Sequence, residues 1–304
     1  SSITHLHFGE GLHNVVYTGD FKYGPSMLLE PAVTTFPRVE TLIIESTYGA
    51  KDDVMPLRGD SENRLVGIAN ATLERGGKVL IPVPAVGRAQ EILLVLDTYM
   101  RKGLLREAPI YIEGMVNEAT AIHTAYPEHL ARNVRDLILH QGINPFQSDY
   151  FVNVLDPSVR GEILEGGSSI VLATSGMLEG GPVLEYLKAL ASDDRNTIVF
   201  VSYQIEGTLG HRIQKSLKET PLINRDGKVE VVKIGLNVES VTGFSGHSDR
   251  NQILAYLKRI SSKPEKVIIG HGEKSKCISM KNFLRRSFGM ETYAPAVMET
   301  IRLK

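Results

Sequence analysis

From about residue 61 onward, short apolar runs alternate with stretches of helical periodicity. This alternation constrains the fold more than any other feature of the 304-residue chain. Helical stretches near 61–75, 87–101, 117–140, 181–191 and 207–218 are separated by apolar runs near 78–83, 109–112, 168–172 and 196–201. Runs such as Val79-Leu80-Ile81 and Ile170-Val171-Leu172 are apolar at successive positions, so both of their faces need covering. The pattern predicts an α/β fold built on a mostly parallel sheet flanked by helices. The opening has another rhythm: Ile3, His5 and His7 alternate with Thr4, Leu6 and Phe8. A turn at Gly9-Glu10-Gly11 then leads back through His13 to Thr18. This predicts a β-hairpin ending at Gly19-Asp20. A third strand, Thr41 to Ile44, ends at Glu45-Ser46-Thr47. Short runs at 228–234 and 237–243 precede a helix at 249–260, a strand at 266–269, a basic helix near 275–287 and an extended tail.

Length and composition set limits on function. A chain of 304 residues with 42% hydrophobic side chains is long enough for two domains with real cores. With 34 basic against 35 acidic residues it is neither a disordered tail nor a uniformly basic sleeve for nucleic acid. A single cysteine, Cys277, excludes a disulfide framework and a zinc site built from cysteines. No apolar run approaches 18 residues and no signal-like start is visible, so no membrane association and a cytoplasmic location are expected. The balanced total conceals an uneven distribution. Residues 1–60 hold 4 basic and 8 acidic side chains, whereas residues 246–304 hold 12 and 5. A polyanion responds to that local basic surface rather than to the sum.

Chemistry in layered α/β folds gathers where strands end, because the sheet holds those residues rigidly. Four strand ends carry reactive side chains. Asp20 follows Val15-Val16-Tyr17, and Glu45 follows Leu42-Ile43-Ile44. His247 stands in Phe244-Ser245-Gly246-His247-Ser248-Asp249 before a helix, and His271 follows Val267-Ile268-Ile269-Gly270. Each has a plain structural reading as well, as a turn residue, a helix cap or a satisfied loop histidine. Together they form a set of carboxylates and imidazoles suited to Zn²⁺ or Mn²⁺. The set is incomplete for metal-activated hydrolysis, which needs three or more protein ligands per ion or a carboxylate bridging two ions. No HxHxDH or HExxH run is present. His5 and His7 have the spacing of a strand-borne pair but are separated from Asp20 by a turn and a strand, and read as structural.

At this point an ordered series of motifs carries a resemblance. The series runs Tyr17-Thr18-Gly19-Asp20-Phe21, Glu45-Ser46-Thr47-Tyr48-Gly49, Gly87-Arg88-Ala89-Gln90-Glu91 and Ala173-Thr174-Ser175-Gly176-Met177-Leu178 with Gly180-Gly181-Pro182. It continues through Ser202-Tyr203-Gln204 with Glu206-Gly207-Thr208-Leu209-Gly210, then Phe244 to Asp249, and His271-Gly272-Glu273. In that order, over nearly the whole chain, it resembles the metallo-β-lactamase/β-CASP nucleases, and within them the archaeal branch related to the cleavage and polyadenylation specificity factor. The resemblance implies a partial metallo-β-lactamase αββα sandwich made of residues 1–49 and 246–304, with a β-CASP domain, residues 50–245, inserted between them.

The resemblance also implies roles. Asp20 matches an aspartate bridging two zinc ions and His271 the last histidine ligand. Glu45 and His247 match a pair in which the carboxylate orients the imidazole beside the scissile phosphate. Arg88, Thr174 and Ser175 are placed to contact the RNA backbone. Two departures are visible: Gly246 and Ser248 stand where alanine is usual, and His211 where arginine is usual. The remaining ligands would lie upstream of Ser1-Ser2. The expected object is therefore part of a longer zinc-dependent ribonuclease with two Zn²⁺ per full-length subunit, acting on single-stranded RNA in 3′-end processing, termination or decay. Endonuclease and 5′-3′ exonuclease action are both compatible. The 304-residue piece alone is expected to hold metal poorly and to be inactive. A homodimer through the C-terminal region is implied, with the tail 297–304 as a candidate interface strand. Two other readings stay open: a non-catalytic RNA-binding scaffold of the same fold, and another phosphoester hydrolase.

Overall fold

The three opening strands form and pair as their alternation requires. In the computed structural model, which describes residues 2–223 and 227–303, β1 (Thr4–Phe8) and β2 (His13–Tyr17) make an antiparallel hairpin. β2 then pairs in parallel with β3 (Thr41–Glu45). From the far end of the sequence, β12 (Lys266–Gly270) joins β3 in parallel and β13 (Glu291–Tyr293) closes the sheet, giving the order β1-β2-β3-β12-β13. Val16, Leu42, Ile44, Val267 and Ile269 pack with Ile253, Tyr256 and Leu257 of α8 (Arg250–Arg259) and with Met280 and Leu284 of α9 (Lys274–Phe288). On the alternate positions Leu6, Phe8 and Tyr17 stay 44%, 50% and 45% exposed. One face of this sheet is thus a core and the hairpin part of the other is not. These elements make one compact unit, Ser1–Pro25, Pro31–Met55 and Gly246–Lys304. Residues 50–55, expected in the inserted segment, fall in it. Ser1 and Lys304, at the two ends of the sequence expectations, lie outside the described residues.

The second unit, Ser26–Glu30 and Pro56–Ser245, holds the predicted parallel sheet. Its strands are β4 (Lys78–Pro82), β5 (Ile110–Glu113), β6 (Phe151–Val154), β7 (Ser169–Ala173), β8 (Thr197–Phe200) and β11 (Asn237–Ser240). They lie in the order β11-β8-β4-β7-β5-β6, and every ladder is parallel. Val79, Ile81, Ile170, Leu172 and Val199 pack into a core with α1 (Arg58–Glu74) and α2 (Arg88–Arg101). Leu80, Val171, Ala173, Ile198 and Phe200 pack into a second core with α6 (Val183–Leu190) and α7 (Leu209–Gln214). Adjacent residues of one strand therefore enter different cores, and that is why these strands lack a polar face.

Ser26–Glu30 belongs to this unit for a polar reason. The buried Glu91 carboxylate accepts the Met27 and Leu28 N–H groups and the Ser26 hydroxyl, each at 2.9 Å, and pairs with Arg58 at 2.7 Å.

Three local expectations change. The stretch 117–140 is not one helix but α3 (Val116–Ala125), a short 3₁₀ turn at Pro127–His129 and α4 (Arg132–His140). Pro127 disfavours helical geometry at Tyr126, which sits at φ −126° and ψ 58°. The expected helix 207–218 is only α7, and the chain beyond it turns through Ser216 at φ 69° into β9 (Glu219–Ile223). β9 pairs antiparallel with β10 (Val229–Lys233) as a separate ribbon. The tail 297–303 forms no strand; Leu303 is tied back through its carbonyl to Lys266 Nζ at 3.0 Å. Among the described residues no helix is long and apolar enough to cross a membrane.

Candidate functional site

The parallel register of β3 and β12 sets Gly270 opposite Glu45, so the two strands end together. Beyond that point Ser46 N–H donates to the His271 carbonyl at 3.2 Å. A Cβ on Gly272 would lie 2.4 Å from the Ser46 carbonyl oxygen, so only glycine permits this approach. His271 itself adopts the left-handed region at φ 44°, an uncommon conformation for a side-chain-bearing residue that clusters at functional sites.

Glu45 joins three segments. Its side chain is 1% exposed. Oε1 accepts the Phe21 N–H at 2.8 Å, fixing the residue after Asp20, and Oε2 lies 2.7 Å from His247 Nδ1. A carboxylate at Nδ1 holds the proton there and leaves Nε2 as the working nitrogen of the ring. Ser248 fixes the same region from the other side: it is fully buried, its hydroxyl accepts the Tyr23 N–H at 2.9 Å and donates to the Phe21 carbonyl at 3.0 Å. Asp249 caps α8 through Gln252 N–H and also accepts the Met55 N–H, each within 2.9 Å.

Asp20 and His271 meet at 3.1 Å between Oδ1 and Nε2, and the His271 ring stacks on that of His247 with centroids 5.7 Å apart and planes 20° off parallel. Asp20, His247 and His271 each present a ligand atom within 4.8 Å of the others. One carboxylate and two imidazoles are a donor set that fits zinc, which takes three protein ligands in open catalytic sites. Cys277 is not part of it: burial pushes its thiol up, and its sulfur faces the Gly272 carbonyl at 3.5 Å.

All four strand-end residues singled out in the sequence, Asp20, Glu45, His247 and His271, thus come together in one unit. Arg88, Thr174 and Ser175 lie in the other. Arg88 is the first residue of α2, behind Gly87 at φ 77°. Thr174 is 7% exposed, and the Ser175 hydroxyl accepts the Glu179 N–H at 3.0 Å. His5 and His7 sit away from the cluster, on the Arg38 carbonyl and the Asn14 side chain.

Two residues with site contacts were not singled out by sequence reasoning. Lys22 Nζ donates to the His247 carbonyl at 3.1 Å. Thr47 Oγ1 lies 3.3 Å from His247 Nδ1 and 3.2 Å from the His271 carbonyl. Their only signal was position, two residues past Asp20 and Glu45.

Comparison with known proteins bears on this arrangement. Residues 89–213 match the Beta-Casp domain, and residues 231–295 match the Zn-dependent metallo-hydrolase RNA specificity domain. The whole chain is 50% identical over 305 residues to the transcription termination factor FttA of Thermococcus kodakarensis, covering 47% of that protein. It is 52% identical over 305 residues to the FttA of Methanocaldococcus jannaschii and 53% identical over 304 residues to that of Methanothermobacter thermautotrophicus, covering 48% of each. The chain spans about half the length of the curated relatives it matches.

Proposed function

The chain belongs to the β-CASP metallo-hydrolase family, and from that membership and its site we infer that it is part of a zinc-dependent ribonuclease hydrolysing RNA phosphodiesters. The observation that carries the reading is the Glu45–His247 pair standing against Asp20 and His271. Asp20 and His271 would hold zinc, with His247 within reach of the same ion. Bound zinc supplies Lewis-acid polarisation of phosphoryl oxygens and a lowered water pKa. Glu45 keeps the His247 proton on Nδ1 and aims Nε2 outward, where it binds a phosphate oxygen or passes a proton to the leaving oxygen. Arg88 at the start of α2 contributes a guanidinium and helix N–H groups suited to backbone phosphate. Thr174 and Ser175, just past the end of β7, offer hydroxyl and backbone N–H groups suited to the RNA phosphate or sugar.

The substrate is single-stranded RNA, and transcription termination is the process that the relatives' name indicates. Endonucleolytic cleavage is the primary activity, with 5′-3′ exonuclease action as an extension of the same chemistry. A homodimer through the C-terminal region belongs to the same reading; Val297 and Met298, each 94% exposed, are the apolar side chains it would cover.

A non-catalytic RNA scaffold is the competing reading. It has no chemical need for a buried carboxylate on a half-buried imidazole, whereas a hydrolase does. The test is cleavage and RNA binding by the full-length protein carrying Asp20→Asn or His247→Ala. Cleavage should fall at least ~10²–10³-fold while RNA affinity stays within a few-fold. Unchanged cleavage, or the same residual rate with and without chelator, would sink the ribonuclease reading. The 304-residue chain alone should cleave little or not at all, because two ligands, Asp20 and His271, are too few to hold a dinuclear centre.

A further inference from the structure

The two histidines of the site are joined by a side chain to which nothing above assigns a role. Thr47 follows Glu45 and Ser46 off the end of β3, and its hydroxyl sits between the ring of His247 and the backbone of His271, at 3.3 and 3.2 Å. A hydroxyl has one hydrogen to donate and two lone pairs to accept with. The His271 carbonyl can only accept, so the Thr47 hydrogen goes there, and a Thr47 lone pair is left facing His247 Nδ1. That nitrogen is also 2.7 Å from Glu45 Oε2. The proton on Nδ1 is therefore shared between a strong acceptor and a weaker one, and the weaker one is fastened to the other histidine.

We propose that Thr47 is the positioning residue that couples the orientation of the His247 ring to the backbone of His271. The His271 peptide is where such coupling has most effect. Its φ of 44° is held against the ordinary preference of a histidine, and among the described residues two donors converge on its carbonyl, Ser46 N–H and Thr47 Oγ1. Without the hydroxyl, one of those donors is gone and the left-handed turn has less to oppose relaxation. The His271 ring would then drift from its stacked place over His247 and from Asp20. Glu45 cannot substitute, since both of its oxygens are engaged with Phe21 and His247. The Lys22 ammonium meets His247 at its backbone carbonyl, a contact that does not set the orientation of the ring.

The proposal rests on the reading of Asp20 and His271 as ion ligands and His247 as the phosphate-side imidazole, and its test separates the two. The intact chain labelled with ¹⁵N-histidine is compared with Thr47→Val, which keeps the shape and loses the hydroxyl, and with Thr47→Ser, which keeps the hydroxyl. In metal-free protein, Thr47→Val should shift the ring resonances of both histidines and abolish the cross-ring proton contact, with amide signals elsewhere unmoved. Thr47→Ser should retain both features. Thr47→Ala makes the same comparison should the valine methyl disturb folding. Zinc alone is then titrated: affinity should fall ~10–100-fold in Thr47→Val and recover to within a few-fold in Thr47→Ser. Ring signals unmoved in Thr47→Val, or equally disturbed in Thr47→Ser, would overturn the coupling. Absence of zinc binding by the unaltered full-length protein, titrated in the same way, would instead overturn the ligand reading, while the metal-free spectra still decide the role of Thr47.

Discussion

Ser248 shows how much a single hydroxyl can carry. As a small residue next to His247 it reads in the sequence as a tolerated variant of alanine, but in the folded protein its Oγ serves the Tyr23 N–H and the Phe21 carbonyl in a fully buried place. Ser248→Ala leaves the Phe21 carbonyl with the Ser248 N–H at 2.8 Å, whereas the Tyr23 N–H loses the hydroxyl it donates to. The expected loss is about 1–3 kcal/mol of stability by urea titration, the usual cost of an unsatisfied buried donor. A loss below about 0.5 kcal/mol would show that water or a backbone shift satisfies that N–H. Asp20, Glu45 and His271 were legible one by one because each ends or follows an apolar strand, and His247 because it stands between Gly246 and the start of α8. Thr47 and Lys22 were not, because a threonine or lysine two positions further on has no chemical mark that separates it from an ordinary loop residue.

At the scale of elements, the hairpin and β3 are held together at their outer end by Glu40, just as Glu45 holds them at the site. Glu40 is 7% exposed and accepts the Asn14 N–H at 2.6 Å and the Asn14 Nδ2 at 2.8 Å, with Arg38 beside it. Burial pushes the carboxyl up, but the Asn14 and Arg38 contacts outweigh it and hold Glu40 below its ordinary value. A carboxylate lowered by folding stabilises fully above its unfolded value, and the contribution disappears as pH falls through the lower folded one. Stability should therefore decline in acid below about pH 4, and Glu40→Gln should flatten that decline. Urea midpoints at pH 3, 5 and 7 measure this; a variant with the same pH slope as the original would show that Glu40 is not the group responsible. The strands themselves were readable from periodicity because burial on two faces leaves an unbroken apolar run. The short β6 and β9 were not, since Phe151–Val154 buries only Val154 and Glu219–Ile223 buries only Thr220 and Leu222, with no apolar alternation to mark it.

For the whole molecule, the exposed apolar side chains matter most. Leu6, Phe8 and Tyr17 share one face of the hairpin, and Val297 and Met298 stand clear of the tail. Apolar groups left in water favour association when a second copy offers a matching surface. At tens of micromolar the chain is expected to sediment as a dimer, and Val297→Ser with Met298→Ser should return it to a monomer. A monomer before any substitution would count against the interface; a dimer that survives it would move the contact to the hairpin.

The sequence by itself determined the parallel sheet, the hairpin, the basic end and the four strand-end residues, because periodicity and strand termini are local properties of the chain. Tertiary structure alone decided that Asp20, His247 and His271 present their donors to one another, since they are brought together by the β3–β12 register across more than 200 residues of intervening sequence. It also decided that Ser26–Glu30 belongs with the parallel-sheet unit, because the buried Glu91 carboxylate collects its N–H groups. Hydrogen-bond partners so distant in sequence leave no periodic trace, and only the folded chain shows which carboxylate meets which imidazole.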